Sequence, residues 1–190
     1  VYGTGKREEN LRGYFAAISA MDEQIGRLLD AVEEQGLADN TVILFTADNG
    51  MSMGQHGVWG KGNGTFPMNM YDSAVKVPFL IFWPGHIPAN TVCSEMISAC
   101  DLLPTILELT GLSDRQPAGL PGRSFTELLG GEQKEHRHEV VIFDEYGPVR
   151  MIRTKEWKYV HRYPYGKHEL YHLVDDPGEE KNLYVLSLIH

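Results

Sequence analysis

The 190-residue sequence predicts an α/β fold with a small antiparallel β-sheet subdomain at its C-terminal end. Three observations lead there. Helical periodicity near the N-terminus is followed, after a short turn, by a continuous apolar run of β-favouring residues, the α/β alternation. A second apolar run, VPFLIFWPG, follows a glycine-rich connection. From about residue 138 the texture changes to short β-branched and aromatic runs separated by turn residues.

Each element has its own signal. Leu11, Phe15, Ile18, Asp22, Ile25, Leu29 and Val32 recur at alternating spacings of four and three, the seam of an amphipathic helix of about 25 residues. Gly36 is placed to close it in a left-handed cap. Asp22, the charged residue on that seam, is expected to meet a backbone amide or an arginine. Val42–Phe45 reads as a strand covered on both faces, and Pro84 and Gly85 end the next one. CDLLPTILELTG reads as a short helix with Asp101 as its N-cap, Pro104 in the first turn and Gly111 beyond the end. FTELLGGE adds a further helical turn or two, and the runs EVVIFDEY, VRMIRTKEWKYVHRYP and HELYHLVDDPGEEKNLY supply the small sheet.

Composition narrows the function. Lys and Arg number 17 against 26 Asp and Glu, a formal charge of −9, which argues against nucleic-acid binding. The longest apolar run, Val77–Trp83, is too short to span a bilayer. Cys93 and Cys100 leave one disulfide open to the chain but make no disulfide framework.

The chemistry concentrates in FTADNGMSMGQHGVWGKGNG, residues 45–64. Ligands in α/β sheets gather beyond the carboxyl ends of strands, where Asp48 and Asn49 stand. Their oxygens are hard donors of the type that Ca²⁺ and Mg²⁺ select, although DNG alone is more often only a turn. Lys61 lies between Gly60 and Gly62, which let backbone approach a bound anion, and an ammonium there would stabilise charge on a tetrahedral oxyanion. The competing reading is a solvated loop lysine. His56 suits a hydrogen bond to the same anion or protonation of a leaving group, and equally a histidine bonded to backbone. The other histidines carry less: His136 and His138 suit a polar edge, and His168 and His172, four apart outside any helical pattern, share no metal face.

Taken in order, YFAAISAMDEQIGRLLDAVEEQGLADNTVILFTADNG, GQHGVWGKGNGTFPMNMYDSAVKVPFLIFWPG, DLLPTILELTG and ELYHLVDDPGEEKNL resemble the sulfatase family of the alkaline-phosphatase superfamily, over roughly residues 10 to 184. The resemblance implies part of an alkaline-phosphatase-like sheet flanked by helices. Residues 1–130 would belong to the catalytic α/β domain, and 131–190 to a small C-terminal subdomain that helps shape the substrate pocket. It makes Asp48 and Asn49 a pair of Ca²⁺ ligands, with Mg²⁺ as the alternative ion. Lys61 becomes the sulfate-contacting lysine and His56, by a looser match, a polar group near substrate.

The family's nucleophile is a formylglycine made in a Cys/Ser-x-Pro/Ala-x-Arg element, and neither Cys93 nor Cys100 fits that pattern. The expectation is therefore the C-terminal portion of a sulfatase, inactive by itself, with the nucleophile and further metal ligands supplied upstream. The implied partners are a sulfated small molecule or glycan, with self-association through truncated sheet edges. A periplasmic or secreted setting goes with the family. Two alternatives stay open: a phosphate or phosphonate ester hydrolase of the same superfamily, and a non-catalytic binding fragment. Arg150, Lys155 and His161 are pocket candidates whose default is the surface.

Overall fold

The computed structural model describes residues 6–131 and 134–184. The chain divides into two compact units, Val1–Gly85 and His86–His190.

In the first unit, helix α1 spans Arg7–Glu34. It closes as its sequence predicts: Gly36 takes φ 66°, and the N–H groups of Gly36 and Leu37 donate to Glu33 O and Val32 O at 2.9 and 3.0 Å. The seam is helical but uncovered. No residue of α1 is buried, and Phe15 is 58 % exposed. Asp22 also lies in solvent, and no amide or arginine meets its carboxylate among the described residues. Helical period decides which residues share a face; a second layer decides whether that face is buried.

Strand β1 (Ile43–Thr46) pairs antiparallel with the strand at Phe79–Phe82, in the register Ile43↔Phe82 to Thr46↔Phe79. The expected two-sided burial is not found. β1 is half-buried at best, while Leu80 and Phe82 are exposed on one face of the later strand. An apolar run permits covering on both faces, but packing layers have to supply it. Trp83 fastens this pair to the helix–strand turn, its Nε1–H donating to Asp39 O at 2.9 Å.

The stretch between the two strands is aperiodic in sequence but ordered in structure. β2 (Ser52–Met53) and β3 (Trp59–Gly60) form a minimal hairpin around a 3-10 turn at Gln55–Gly57. A second such turn covers Gly62–Gly64. The one-turn helix α2 (Asp72–Val75) then leads into β4, the Phe79–Phe82 strand.

In the second unit, a 3-10 turn at Ala99–Asp101 runs directly into α3 (Leu102–Leu109), and α4 (Thr126–Leu129) supplies the one further turn. Gly111 lies beyond the end of α3 at φ 71°. Asp101 holds the N-cap position of α3 as expected but makes no side-chain cap bond to it; the side-chain cap lies one turn earlier, where Ser98 caps the 3-10 turn. Ser98 Oγ accepts from Cys100 N at 3.5 Å, and Ser98 N–H donates to Asp101 Oδ2 at 2.8 Å, a reciprocal capping arrangement. The sequence pattern marked the start of the α-helix and missed the 3-10 turn before it.

The small sheet is as predicted: β5 (Val140–Phe143), β6 (Val149–Arg153), β7 (Trp157–Arg162) and β8 (Glu169–His172), antiparallel in chain order. One face holds the core of the unit, with Val149, Met151 and Val160 buried. Two buried cations share that face. Lys158 Nζ pairs with Glu179 at 2.5 Å, and Arg162 pairs with Glu169 at 3.0 Å. Buried charge is tolerable only when matched in this way. Cys93 and Cys100 are exposed free thiols, so the disulfide left open by the sequence does not form.

Candidate active site

Chain continuity brings Asp48 and Asn49 to the end of β1, and local packing fixes them there. The Gly50 N–H donates to Ala74 O at 2.9 Å, and a Cβ on Gly50 would sit 2.2 Å from Ser73 O. Only glycine permits this approach. Ser52, fully buried, adds a 2.7 Å hydroxyl contact to Ser73. The loop after β1 is thereby held against α2.

Asn49 is oriented by its own amide. Nδ2 donates to Gly50 O at 2.9 Å, so Oδ1 faces away and accepts from Lys61 Nζ at 3.3 Å. Asp48 is exposed, and no hydrogen bond or ion pair engages its carboxylate among the described residues.

Lys61 is positioned from behind. Gly60 takes φ 132°, and a Cβ on Gly62 would press Asn69 O at 3.2 Å. Buried Asn69 closes the lysine turn, its Nδ2 donating to Gly62 O at 3.0 Å and its N–H to the same oxygen at 2.9 Å. His56 stands in the left-handed region (φ 52°, ψ 22°), with its ring stacked on Tyr71 at 3.7 Å and 6°. No hydrogen bond joins His56 to Asp48, Asn49 or Lys61. The structure therefore joins Asn49 to Lys61 beside Asp48, and places His56 on a separate aromatic support.

Sequence reasoning missed Asn69 and Tyr71. Both lie in an aperiodic stretch, where spacing carries no signal and only the folded loop shows what they hold. The oxygens of Asp48 and Asn49 suit a hard divalent cation in type and adjacency, though such an ion takes six to eight ligands. Among the described residues no three His, Cys, Asp or Glu side chains converge as a metal cluster.

The remaining candidates lie in the second unit. Lys155 Nζ is bound to Glu95 at 2.9 Å, a hydrogen bond that raises its pKa. Arg150 and His161 face one another on β6 and β7. His138 is exposed beside Glu135, but His136 is not on an open polar edge: it is half-buried, its side chain only 9 % exposed, with Nε2 3.5 Å from Asp101 Oδ2. Burial holds the His136 pKa below its ordinary value against the attraction of Asp101. Asp101 is fully buried. Burial pushes its pKa up, but the Arg137 guanidinium and the N–H groups of Arg123 and Ser98 outweigh this and hold it below the usual carboxylate value. His168 and His172 engage Arg162 N and Asp175, respectively, and share no metal face.

Comparison with known proteins matches the sequence and fold of this chain to a family. The Sulfatase family model matches residues 2–112. The N-acetylglucosamine-6-O-sulfatase of Bacteroides thetaiotaomicron is 31 % identical over 194 residues, covering 94 % of this chain and 33 % of that protein. Human arylsulfatase A is 34 % identical, covering 95 % of this chain and 41 % of its own. A solved structure in complex with its substrate D-glucosamine-2-N,6-O-disulfate superposes with a TM-score of 0.84 at 29 % identity, over 96 % of this chain and 37 % of that one. The chain spans about a third of the length of the first of these relatives. Its α/β elements and small antiparallel sheet follow the alkaline-phosphatase-like fold of these enzymes, and the chain belongs to the sulfatase family.

Proposed function

We propose that this chain carries the part of a sulfuric-ester hydrolase site that grips the sulfate group and one side of a divalent cation. The observation that carries the reading is the meeting of Lys61 Nζ with Asn49 Oδ1 at 3.3 Å, beside the uncommitted Asp48 carboxylate. Asp48 and Asn49 would hold Ca²⁺, with Mg²⁺ as the alternative. When bound, the ion supplies Lewis-acid charge to the sulfate oxygens and a template for attack.

Lys61 offsets the negative charge that shifts onto the sulfate oxygens and the leaving group. Were Asn49 Oδ1 engaged by a cation, the Lys61 ammonium that now donates to it at 3.3 Å would be available to a bound anion. His56, held flat on Tyr71, donates a hydrogen bond to the substrate. The formylglycine that the family uses has no matching element in these residues.

The substrate class is a sulfated sugar, supported by relatives whose names specify sulfated glucosamine chemistry. Residues 1–130 form part of the catalytic α/β domain, a reading supported by the family match over residues 2–112, and 131–190 form the C-terminal subdomain. A periplasmic or secreted setting accompanies the family. No helix among the described residues is long and apolar enough to cross a membrane.

Calorimetric titration tests the site. Asp48→Ala lowers Ca²⁺ affinity about tenfold, the loss of one charged ligand. Lys61→Met weakens inorganic sulfate binding while leaving Ca²⁺ binding equal or tighter. Unchanged Ca²⁺ affinity in both Asp48→Ala and Asn49→Ala would sink the reading. The chain alone is expected to turn over no aryl sulfate, and full activity would contradict that.

A further inference from the structure

The Lys61 side chain takes its direction from the backbone beneath it, and one buried amide holds that backbone. Lys61 precedes the 3-10 turn Gly62–Gly64, and its carbonyl accepts from Gly64 N–H at 2.8 Å and from Asn69 Nδ2 at 3.4 Å. The next carbonyl, Gly62 O, accepts from Asn69 twice, from its N–H at 2.9 Å and from Nδ2 at 3.0 Å. Nδ2 also donates to Thr65 Oγ1 at 3.4 Å, whose own proton goes to Pro67 O at 2.9 Å. Asn69, only 3 % exposed, thus reaches two successive carbonyls that begin at Lys61 and a hydroxyl further round the turn.

These bonds are not needed to satisfy the acceptors. Without Nδ2, Lys61 O keeps Gly64 N–H, Gly62 O keeps Asn69 N–H, and Thr65 Oγ1 keeps its bond to Pro67 O. The amide also carries a cost. Asn69 Oδ1 is buried and has no hydrogen-bond partner among the described residues, and an unmatched buried acceptor opposes folding. An apolar side chain of similar shape would avoid that penalty. A group that opposes folding and satisfies no orphaned atom is explained by what it fixes. Held by two donors, the Lys61 carbonyl cannot swing about the Cα–C bond, so its Cα–Cβ bond keeps one direction.

We propose that Asn69 is a positioning residue for sulfate capture. It acts through Lys61 and makes no hydrogen bond to Asp48 or Asn49. Its donors order the backbone from which the ammonium reaches, so that less order has to be imposed when the anion binds. The Asp48–Asn49 turn is fastened separately, through Gly50 N–H to Ala74 O and the Ser52–Ser73 hydroxyl contact. Loss of the amide therefore reaches the anion and spares the cation. The inference rests on the reading of Lys61 as the group that grips sulfate, but it concerns a residue outside that contact.

The test is calorimetric titration of the whole chain with inorganic sulfate and, separately, with Ca²⁺, beside a urea midpoint for each variant. Asn69→Leu, close to asparagine in shape, is expected to weaken sulfate binding about tenfold. Its Ca²⁺ affinity and urea midpoint are expected to stay near those of the unaltered chain. Asn69→Ala, which cannot overpack the site, is expected to lose sulfate affinity and keep Ca²⁺ affinity in the same way. In the unaltered chain, sulfate is expected to shift the Lys61 side-chain NMR signal, and in both variants the same shift needs more sulfate. Unchanged sulfate affinity in both variants, with loss in Lys61→Met, would overturn the proposal and leave the function reading standing. Parallel losses of sulfate affinity, Ca²⁺ affinity and midpoint would make Asn69 a structural residue only and overturn it as well. Sulfate binding that is absent from the unaltered chain, or undiminished in Lys61→Met, would overturn both.

Discussion

Gly50 and Asp101 show how much a single position can carry. The Gly50 Cα lies so close to the Ser73 carbonyl that an added Cβ would meet its oxygen at 2.2 Å, and backbone on both sides cannot yield cheaply. Gly50→Ala is expected to cost about 2 kcal/mol or more, as overpacking does, and to loosen the Asn49–Lys61 contact. A lowered denaturation midpoint together with weakened Ca²⁺ binding would show both. Asp101 is different because its effect depends on pH. Its folded pKa lies below the ordinary value, so the stabilisation is complete above the unfolded value of about 4 and is lost as pH falls through the folded value. His136, held neutral by burial, begins to oppose folding as pH falls below its unfolded value of about 6.5. Stability is therefore expected to decline in two stages on acidification, read by urea midpoints from pH 7 to 3. Asp101→Asn removes the lower stage and costs about 2 kcal/mol, by taking the charged partner from the half-buried Arg137.

At the scale of elements, α1 and the β5–β8 sheet mark the two extremes. The helix has its period, its first-turn acids Glu8 and Glu9 and its glycine cap, yet buries no residue. Helices owe most of their stability to tertiary packing of one face. Amide exchange in α1 is thus expected to be fast relative to β6 and β7, whose buried residues include Val149, Met151 and Val160. Equal protection in both would contradict this. The same contrast explains what could be read in advance. The helix, its cap and the small sheet follow from spacing and turn residues, which act locally. The hairpin of Ser52–Met53 and Trp59–Gly60 did not announce itself, because each strand is two residues long and too short for alternation to register.

Across the molecule, apolar surface is unevenly distributed. Phe15, Leu28, Leu80 and Phe82 are exposed in the first unit, and the edges of its two-stranded sheet carry no further strand among the described residues. Exposed apolar surface and open edges favour association. Sedimentation is expected to show concentration-dependent self-association, and substituting Leu80 and Phe82 by lysine to reduce it. A monomer at high concentration with no binding of hydrophobic dye would argue otherwise.

The sequence by itself determined the order of elements, the family and the residue types of the site, because period, capping and the run DNG…GKG are local properties of the chain. Only the tertiary structure decided that Asn49 and Lys61 meet, that His56 lies on Tyr71, that Ser98 caps the helical segment at Asp101 and that the apolar faces of α1 and β4 stay open. Those are statements about which surfaces come together. Contacts between residues distant along the chain depend on packing, and spacing does not encode it.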